Sequence, residues 1–142
     1  MANHMPRASE FSGLSRTVLE YSECFTALVA KRKSGALTDA DWAPIEALVD
    51  VDGWERQGVF AGPKAETFGW PSYRSAIAQY AGATSWEGTL RHITETPGRV
   101  ILELEERNTM NGATDVSNTV TIYEFNEAGK LRHLDVYVMP LG

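Results

Sequence analysis

The segment "RVILELEERNT", residues 99–109, puts acid–base groups at the end of an apolar stripe. Read as a strand, it carries Val100, Leu102 and Leu104 on one face, which then continues with Glu106 and Asn108. The opposite face reads Ile101, Glu103, Glu105 and Arg107, a solvated or interface pattern. A carboxylate at the end of an apolar face is costly to bury unless it is paired or serves a reaction. Desolvation raises a carboxyl pKa and a neighbouring cation lowers it, and that balance decides whether such a group can act as a base near neutrality. Glu106 is therefore the first candidate for a general base, with Arg56 as the cation expected beside it. The structural alternatives are a Glu106–Arg56 pair at a pocket mouth, or a strand end that reaches water.

Other residues carry chemistry by type. His92 shares a strand face with Trp86 and Leu90 in "WEGTLRHITE", so regular alternation points all three inward. It is read either as an acid or base or as a core histidine bonded to a backbone carbonyl. Tyr21 lies one turn from Phe25 on a helical stripe, where its hydroxyl reaches a pocket or is buried with a backbone partner. Asn108 orients a substrate oxygen or belongs to the Asn111-Gly112 turn that follows. Trp54, Trp86 and Tyr80 supply core or pocket wall. His133 and Asp135 share a strand face with Tyr137, which suits an outer surface. None of the three histidines, His4, His92 and His133, has a partner at zinc-ligand spacing. "AGPKAETFG" lacks the strand–helix context of a phosphate loop, and there is no Gly-x-Ser-x-Gly elbow. Metal and organic cofactors are not expected.

The elements that must position these groups follow from periodicity. Leu14, Val18, Tyr21, Phe25 and Leu28 form one stripe of a first helix. Lys31, Arg32 and Lys33 give it a basic last turn, before a stop at Ser34-Gly35. A second helix is expected from the low forties to Val49, with Asp41 as N-cap and Pro44 in its first turn. "VDGWERQGV" reads as a short strand with Trp54 and Arg56 on one side. Residues 58–70 read as a loop. Pro71 opens a third helix through Tyr73, Ile77 and Tyr80, ended by Gly82. The rest alternates as long strands, closing with "DVSNTVTIYEF", the turn "NEAG" and "KLRHLDVYVM".

The chain has 142 residues, 43% hydrophobic and 23% charged, which suits one domain with a packed core. Its net charge of -6 lacks the basic footprint of a nucleic-acid binder. No apolar run reaches the ~18 residues of a membrane span. A single cysteine, Cys24, excludes an intrachain disulfide and reads as a small buried hydrophobe. The expected compartment is a reducing cytoplasm, without nucleic-acid or membrane partners. Residues 1–10 are expected to be a flexible arm and residues 11–142 one domain.

This element order, with "RVILELEERNTMNG" and above all "NTVTIYEFNEAGKLRHLDVYV" (118–138), resembles the nuclear transport factor 2-like fold, and within it the SnoaL-like branch. The resemblance spans residues 12–139. It implies an α+β domain whose curved antiparallel sheet wraps three helices as a cone around a ligand pocket, and relatives that often pair through the outer sheet face. It places Glu106 where limonene epoxide hydrolase-like enzymes carry an acidic residue, with Trp54 and Arg56 at their first-strand pocket positions. Thr121 stands where ketosteroid isomerase-like enzymes carry an oxyanion-hole acid, and Phe25 where they carry a helix tyrosine. Val136 stands where several relatives have an aspartate. Those replacements prevent any relative's mechanism from being carried over whole.

The resulting expectation is a cofactor-independent acid–base enzyme, an isomerase, cyclase or lyase, acting on a small hydrophobic molecule. Glu106, Arg56, His92 and Tyr21 are its candidate catalytic residues. Trp54, Phe25, Trp86, Leu102, Leu104, Asn108, Thr121, Leu134, Val136 and Val138 are its candidate substrate contacts. A non-catalytic ligand-binding or assembly domain and an epoxide hydrolase-like hydrolase remain open as alternatives. A homodimer is expected through an outer face that carries Ile101, Tyr137 and Met139.

Overall fold

The stripe from Leu14 to Leu28 folds as α1, Gly13–Ser34, in the computed structural model, which describes residues 5–60 and 62–142. α1 buries Val18, Leu19, Tyr21 and Leu28, and its three basic residues lie in the last turn, at the carbonyl end of the helix. α2, Asp39–Glu46, begins earlier than the proline suggests. Thr38 is its N-cap, and the Thr38 N–H and hydroxyl both donate to the Asp41 carboxylate, at 2.8 and 3.0 Å. Asp41 therefore sits in the first turn rather than at the cap, and Pro44 lies inside the helix. The helix stops short of Val49, which instead forms a parallel bridge to Leu131. α3, Trp70–Ala83, carries Pro71 in its first turn and passes one residue beyond Gly82. Before α1, a 3-10 turn at Ala8–Glu10 buries Ala8, whose N–H donates to Glu23 at 2.9 Å. The first four positions of the expected N-terminal arm lie outside the described residues.

Six strands form one sheet: β1 (Glu55–Gly58), β2 (Glu66–Phe68), β3 (Ser85–Thr96), β4 (Arg99–Met110), β5 (Ala113–Phe125) and β6 (Leu131–Pro140). Their order is β2-β1-β6-β5-β4-β3. The β3–β6 meander is antiparallel, as its turn signals require. Two findings correct the expected fold. β1 pairs with β6 in parallel, so the sheet is mixed. β2 and β3 remain separate edges, so the sheet is open and not strongly curled; it does not wrap the helices as a cone. The helices instead pack on one face, where Val18, Trp42, Ile45 and Ile77 join Val100, Leu102, Tyr123 and Leu134 in the core. β2 is itself a correction to the loop expected over 58–70.

The register sets out the helix-facing surface as successive rungs. Arg56, Leu134, Tyr123 and Val100 lie side by side in the first. Val136, Thr121 and Leu102 form the second, and Val138, Thr119 and Leu104 the third. Ser117, Glu106 and Gly88 follow, then Asn108 beside Trp86.

β3 departs from simple alternation. Leu90 pairs with Leu104, but His92 pairs with Glu103 and Ile93 with Leu102, so Arg91 is an extra residue in the strand. A one-residue bulge sends the following side chains to the other face. His92 therefore lies exposed on the outer surface with Glu103, not inside with Trp86 and Leu90.

Candidate functional site

Between α1, α3 and the helix-facing rungs lies a cavity of about 220 Å³. Glu106 and Arg56 both line it, from different ends. From Val100, on the rung of Arg56, to Glu106 is six residues along β4, about 20 Å of strand. Across the sheet, β1 and β4 are three strand spacings apart, ~14 Å. That separation explains why the expected Arg56–Glu106 ion pair does not form.

At its own end, Glu106 accepts a hydrogen bond from the Trp86 indole Nε1 at 2.5 Å. Trp86 reaches it because Gly88, opposite Glu106, leaves the ring room to lie along β3. The neighbouring Tyr80 hydroxyl donates to the Asn108 side-chain carbonyl. Burial pushes the Tyr80 phenol well above its ordinary pKa, and the nearby Glu106 charge pushes the same way. Tyr80 is thus held as a protonated donor. Phe25 packs against both Tyr80 and Trp86, with ring centroids 6.0 and 6.3 Å away.

Arg56 is only 6% exposed. Its guanidinium donates to the carbonyls of Gly58 and Val59 at 3.2 and 3.0 Å and lies 5.1 and 5.6 Å from the ring centres of Phe60 and Tyr73. Tyr21 and Tyr123 stand nearby, and the Tyr21 hydroxyl meets that of Tyr73 at 3.4 Å. Burial raises the pKa of both Tyr21 and Tyr123, with Tyr73 adding to it, while the Arg56 charge pulls the other way. Between the two ends, the Thr119 hydroxyl is buried and has no hydrogen-bond partner among the described residues.

Among the candidate residues, Glu106, Arg56, Tyr21, Phe25, Trp86, Leu102, Leu104, Asn108, Thr121, Leu134, Val136 and Val138 all line this cavity. Two do not. His92 is turned outward by the bulge. Trp54, 5% exposed, belongs to the core: it stacks on Tyr73 at 5.5 Å and meets Trp70 edge-on at 4.8 Å. Tyr73, Tyr80, Phe60, Ser117, Thr119 and Tyr123 also line the cavity and were not singled out as ligand contacts. Thr119 and Tyr123 share a strand face with Thr121 and were within reach of strand periodicity. Phe60 sits between glycines and offers no such signal.

The outer sheet face holds a separate polar group. His133 faces Glu55 through Nδ1 at 3.0 Å and Asp135 through Nε2 at 2.9 Å. Glu124 joins from β5, and one ligand atom each from Glu124, His133 and Asp135 lies within 4.8 Å of the others. Spacing along the chain hides this cluster because Glu124 comes from the next strand. It is on the far side of the sheet from the cavity, since Leu134 and Val136 alternate with its members.

The architecture is the nuclear transport factor 2-like fold, shared with several solved structures. A nuclear transport factor 2-like protein of unknown function from Burkholderia pseudomallei is 16% identical over 89% of this chain and 91% of its own, with a TM-score of 0.66. Another, from an Exiguobacterium species, is 16% identical over 87% of this chain and 97% of its own, with a TM-score of 0.62. An LEH-like epoxide hydrolase of Mycobacterium tuberculosis is 13% identical over 80% of this chain and 82% of its own, with a TM-score of 0.54. No protein-family model matches the chain, and no curated protein is similar enough in sequence to match. Among the described residues, no helix is long and apolar enough to cross a membrane.

Proposed function

We propose that the cavity binds one small, mainly apolar organic molecule and acts on it by cofactor-independent acid–base chemistry. The class is an isomerase, cyclase or lyase of the SnoaL-like branch, with Glu106 as the base. One observation carries this reading: Glu106 is the single carboxylate among the described lining residues, and it accepts a hydrogen bond from a donor, the Trp86 indole. A carboxylate that accepts one hydrogen bond keeps lone pairs for a substrate proton. Charge left on the substrate oxygen would meet donors that stay protonated, among them Tyr21. Epoxide opening by two carboxylates is less well supported, because Val136 occupies the position of the second acid suggested by the resemblance.

A non-catalytic binder is the second reading, favoured by the same Trp86–Glu106 bond if that bond merely ties β3 to β4. Replacing Glu106 with Gln separates the two. Ligands found by thermal shift among single-ring aromatic and terpenoid compounds would be assayed for turnover. Loss of a general base should cost about 10²–10⁴-fold in rate, with melting temperature and ligand binding retained. Equal turnover in Glu106→Gln would remove the role as base.

We further propose a homodimer through the outer sheet face. Tyr137 and Met139, 58% and 57% exposed, stand on the central strand β6, Tyr137 opposite Val120 and Met139 opposite Asn118 of β5. Among the described residues nothing covers Tyr137 and Met139, and exposed apolar patches on sheets mark interaction surfaces.

A further inference from the structure

Arg56 is a buried cation that faces a ligand cavity with no carboxylate of the described residues in ion-pair reach. Burying a charge without a counter-charge is costly, and backbone carbonyls offset only part of that cost. Two of the five N–H donors of a guanidinium go to Gly58 and Val59 here. The remaining donors have no hydrogen-bond partner among the described residues. Around them stand the phenols of Tyr21, Tyr73 and Tyr123, and Tyr21 and Tyr123 are held protonated by burial. A planar cation ringed by hydroxyl donors is a seat for an oxyanion, and a guanidinium fork matches a carboxylate best.

We infer that the ligand is a small organic acid, whose carboxylate docks on Arg56 while its apolar body extends along the Thr121 and Thr119 rungs toward Glu106. This deepens the proposed function and rests on the same cavity. The cavity measures about 220 Å³. It suits one ring with short substituents. The body would cross Leu102, Leu104, Val136 and Val138, which offer no polar contact. Halfway along, Thr119, 4% exposed, lines the wall with a buried hydroxyl that has no hydrogen-bond partner among the described residues. The two charges are then divided by role: the cation anchors the ligand's fixed negative charge, and Glu106 faces its far end. A carboxylate bound beside Glu106 would instead be repelled, so the docking direction follows from charge alone.

The test compares phenylacetate, 3-phenylpropanoate and cyclohexanecarboxylate with their primary amides, by calorimetry and thermal shift on the full chain. Each amide keeps the shape of its acid and lacks the charge. At least one acid should bind about tenfold or more tighter than its amide, the scale of a charge-assisted hydrogen bond. The preference should vanish in Arg56→Gln, survive in part in Arg56→Lys, and persist in Glu106→Gln. Amides binding as well as acids, a preference that survives in a folded Arg56→Gln, or no binding by any of the six compounds would overturn the inference. Should Arg56→Gln fail to fold, the wild-type comparison of acids with amides decides. Turnover is a separate readout. Acid preference without Glu106-dependent turnover sinks only the base, and turnover of neutral ligands sinks only the anion seat.

Discussion

Trp86 and Glu106 are joined by an indole N–H···carboxylate bond of 2.5 Å that runs diagonally across the β3–β4 ladder. The residue directly opposite Glu106 is Gly88, and a Cβ built there would lie 2.7 Å from Trp86 Cζ2. The candidate base is therefore oriented by a ring that lies where a side chain at 88 would have to be. Gly88 adopts ordinary extended backbone, so it is space rather than conformation that requires glycine.

Gly88→Ala should displace the Trp86 ring and break its bond to Glu106. The added methyl meets ring carbons that cannot fold away, and overpacking of this kind typically costs about 1–3 kcal/mol. The indole N–H resonance of Trp86 should move toward that of a solvent-exposed tryptophan, and turnover should fall with the loss of Glu106 orientation. An unmoved resonance would show that the ring slides without leaving the carboxylate.

Trp54 and Trp86 should separate cleanly by stability. Trp54 sits in an aromatic cluster with Tyr21, Tyr73 and Trp70, so Trp54→Ala should cost about 3–5 kcal/mol. Trp86 is half-buried on the cavity wall, and Trp86→Ala should cost on the order of 1–2 kcal/mol. Urea unfolding with an unchanged slope would measure both. Equal losses would mean that Trp86 is also core.

Most of the cavity floor was legible in the sequence because strand alternation is local. Val100, Leu102, Leu104, Glu106 and Asn108 fall on one face in the order read from residues 99–109. What failed was non-local. Nothing in "TLRHIT" marks Arg91 as an extra residue, since the bulge appears only against the partner register, and it carried His92 to the wrong face. β2 is three residues among glycines and prolines, and it exists because β1 offers it an edge. The parallel β1–β6 pairing cannot be seen in either strand alone, so the sheet was expected to be wholly antiparallel and wrapped. The same pairing fixed Arg56 three strands from Glu106 and undid their expected ion pair. Arg107 shows another limit: its face reads as solvated or as an interface, yet within the protomer it is already buried on the outer face, with Glu105 at 2.8 Å and Thr89 at 3.2 Å.

The outer face should hold two chains together. At micromolar concentration, sedimentation should give twice the 15.7 kDa of one chain. Tyr137→Glu should shift the equilibrium to monomer while leaving the circular dichroism unchanged, because it places a charge at the middle of an apolar strip whose loss does not touch the core. A wild-type monomer under these conditions would remove the dimer.

Glu95 should make stability depend on pH in the acid range. Its carboxylate accepts the N–H and the hydroxyl of Ser15, at 2.8 and 2.7 Å, in the first turn of α1. Those N–H groups have no partner within the helix, and the helix's own N-cap, Ser12, makes no side-chain bond to them. A residue eighty positions away thus caps α1. Gly13, at φ +63°, keeps the approach open: a Cβ there would lie 2.9 Å from the Glu95 carboxylate. The Ser15 hydroxyl bond, then the Ser15 N–H bond, hold the Glu95 carboxyl below the ordinary glutamate range, with slight desolvation opposing them. Because the folded pKa is the lower one, the unfolded chain binds more protons between the two values, and stability rises with pH there. The contribution is complete above the ordinary value of about 4.3, and it is lost as pH falls through the lowered folded value. Glu95→Gln keeps an acceptor but loses the charge. At pH 7 it should destabilise by up to about 1 kcal/mol, the scale of an N-cap, with solvent exposure drawing the figure down. Urea midpoints of the two proteins should converge as the pH is lowered below that of an ordinary glutamate. A gap that stays constant into strong acid would assign the effect to the shape of the side chain rather than to its charge.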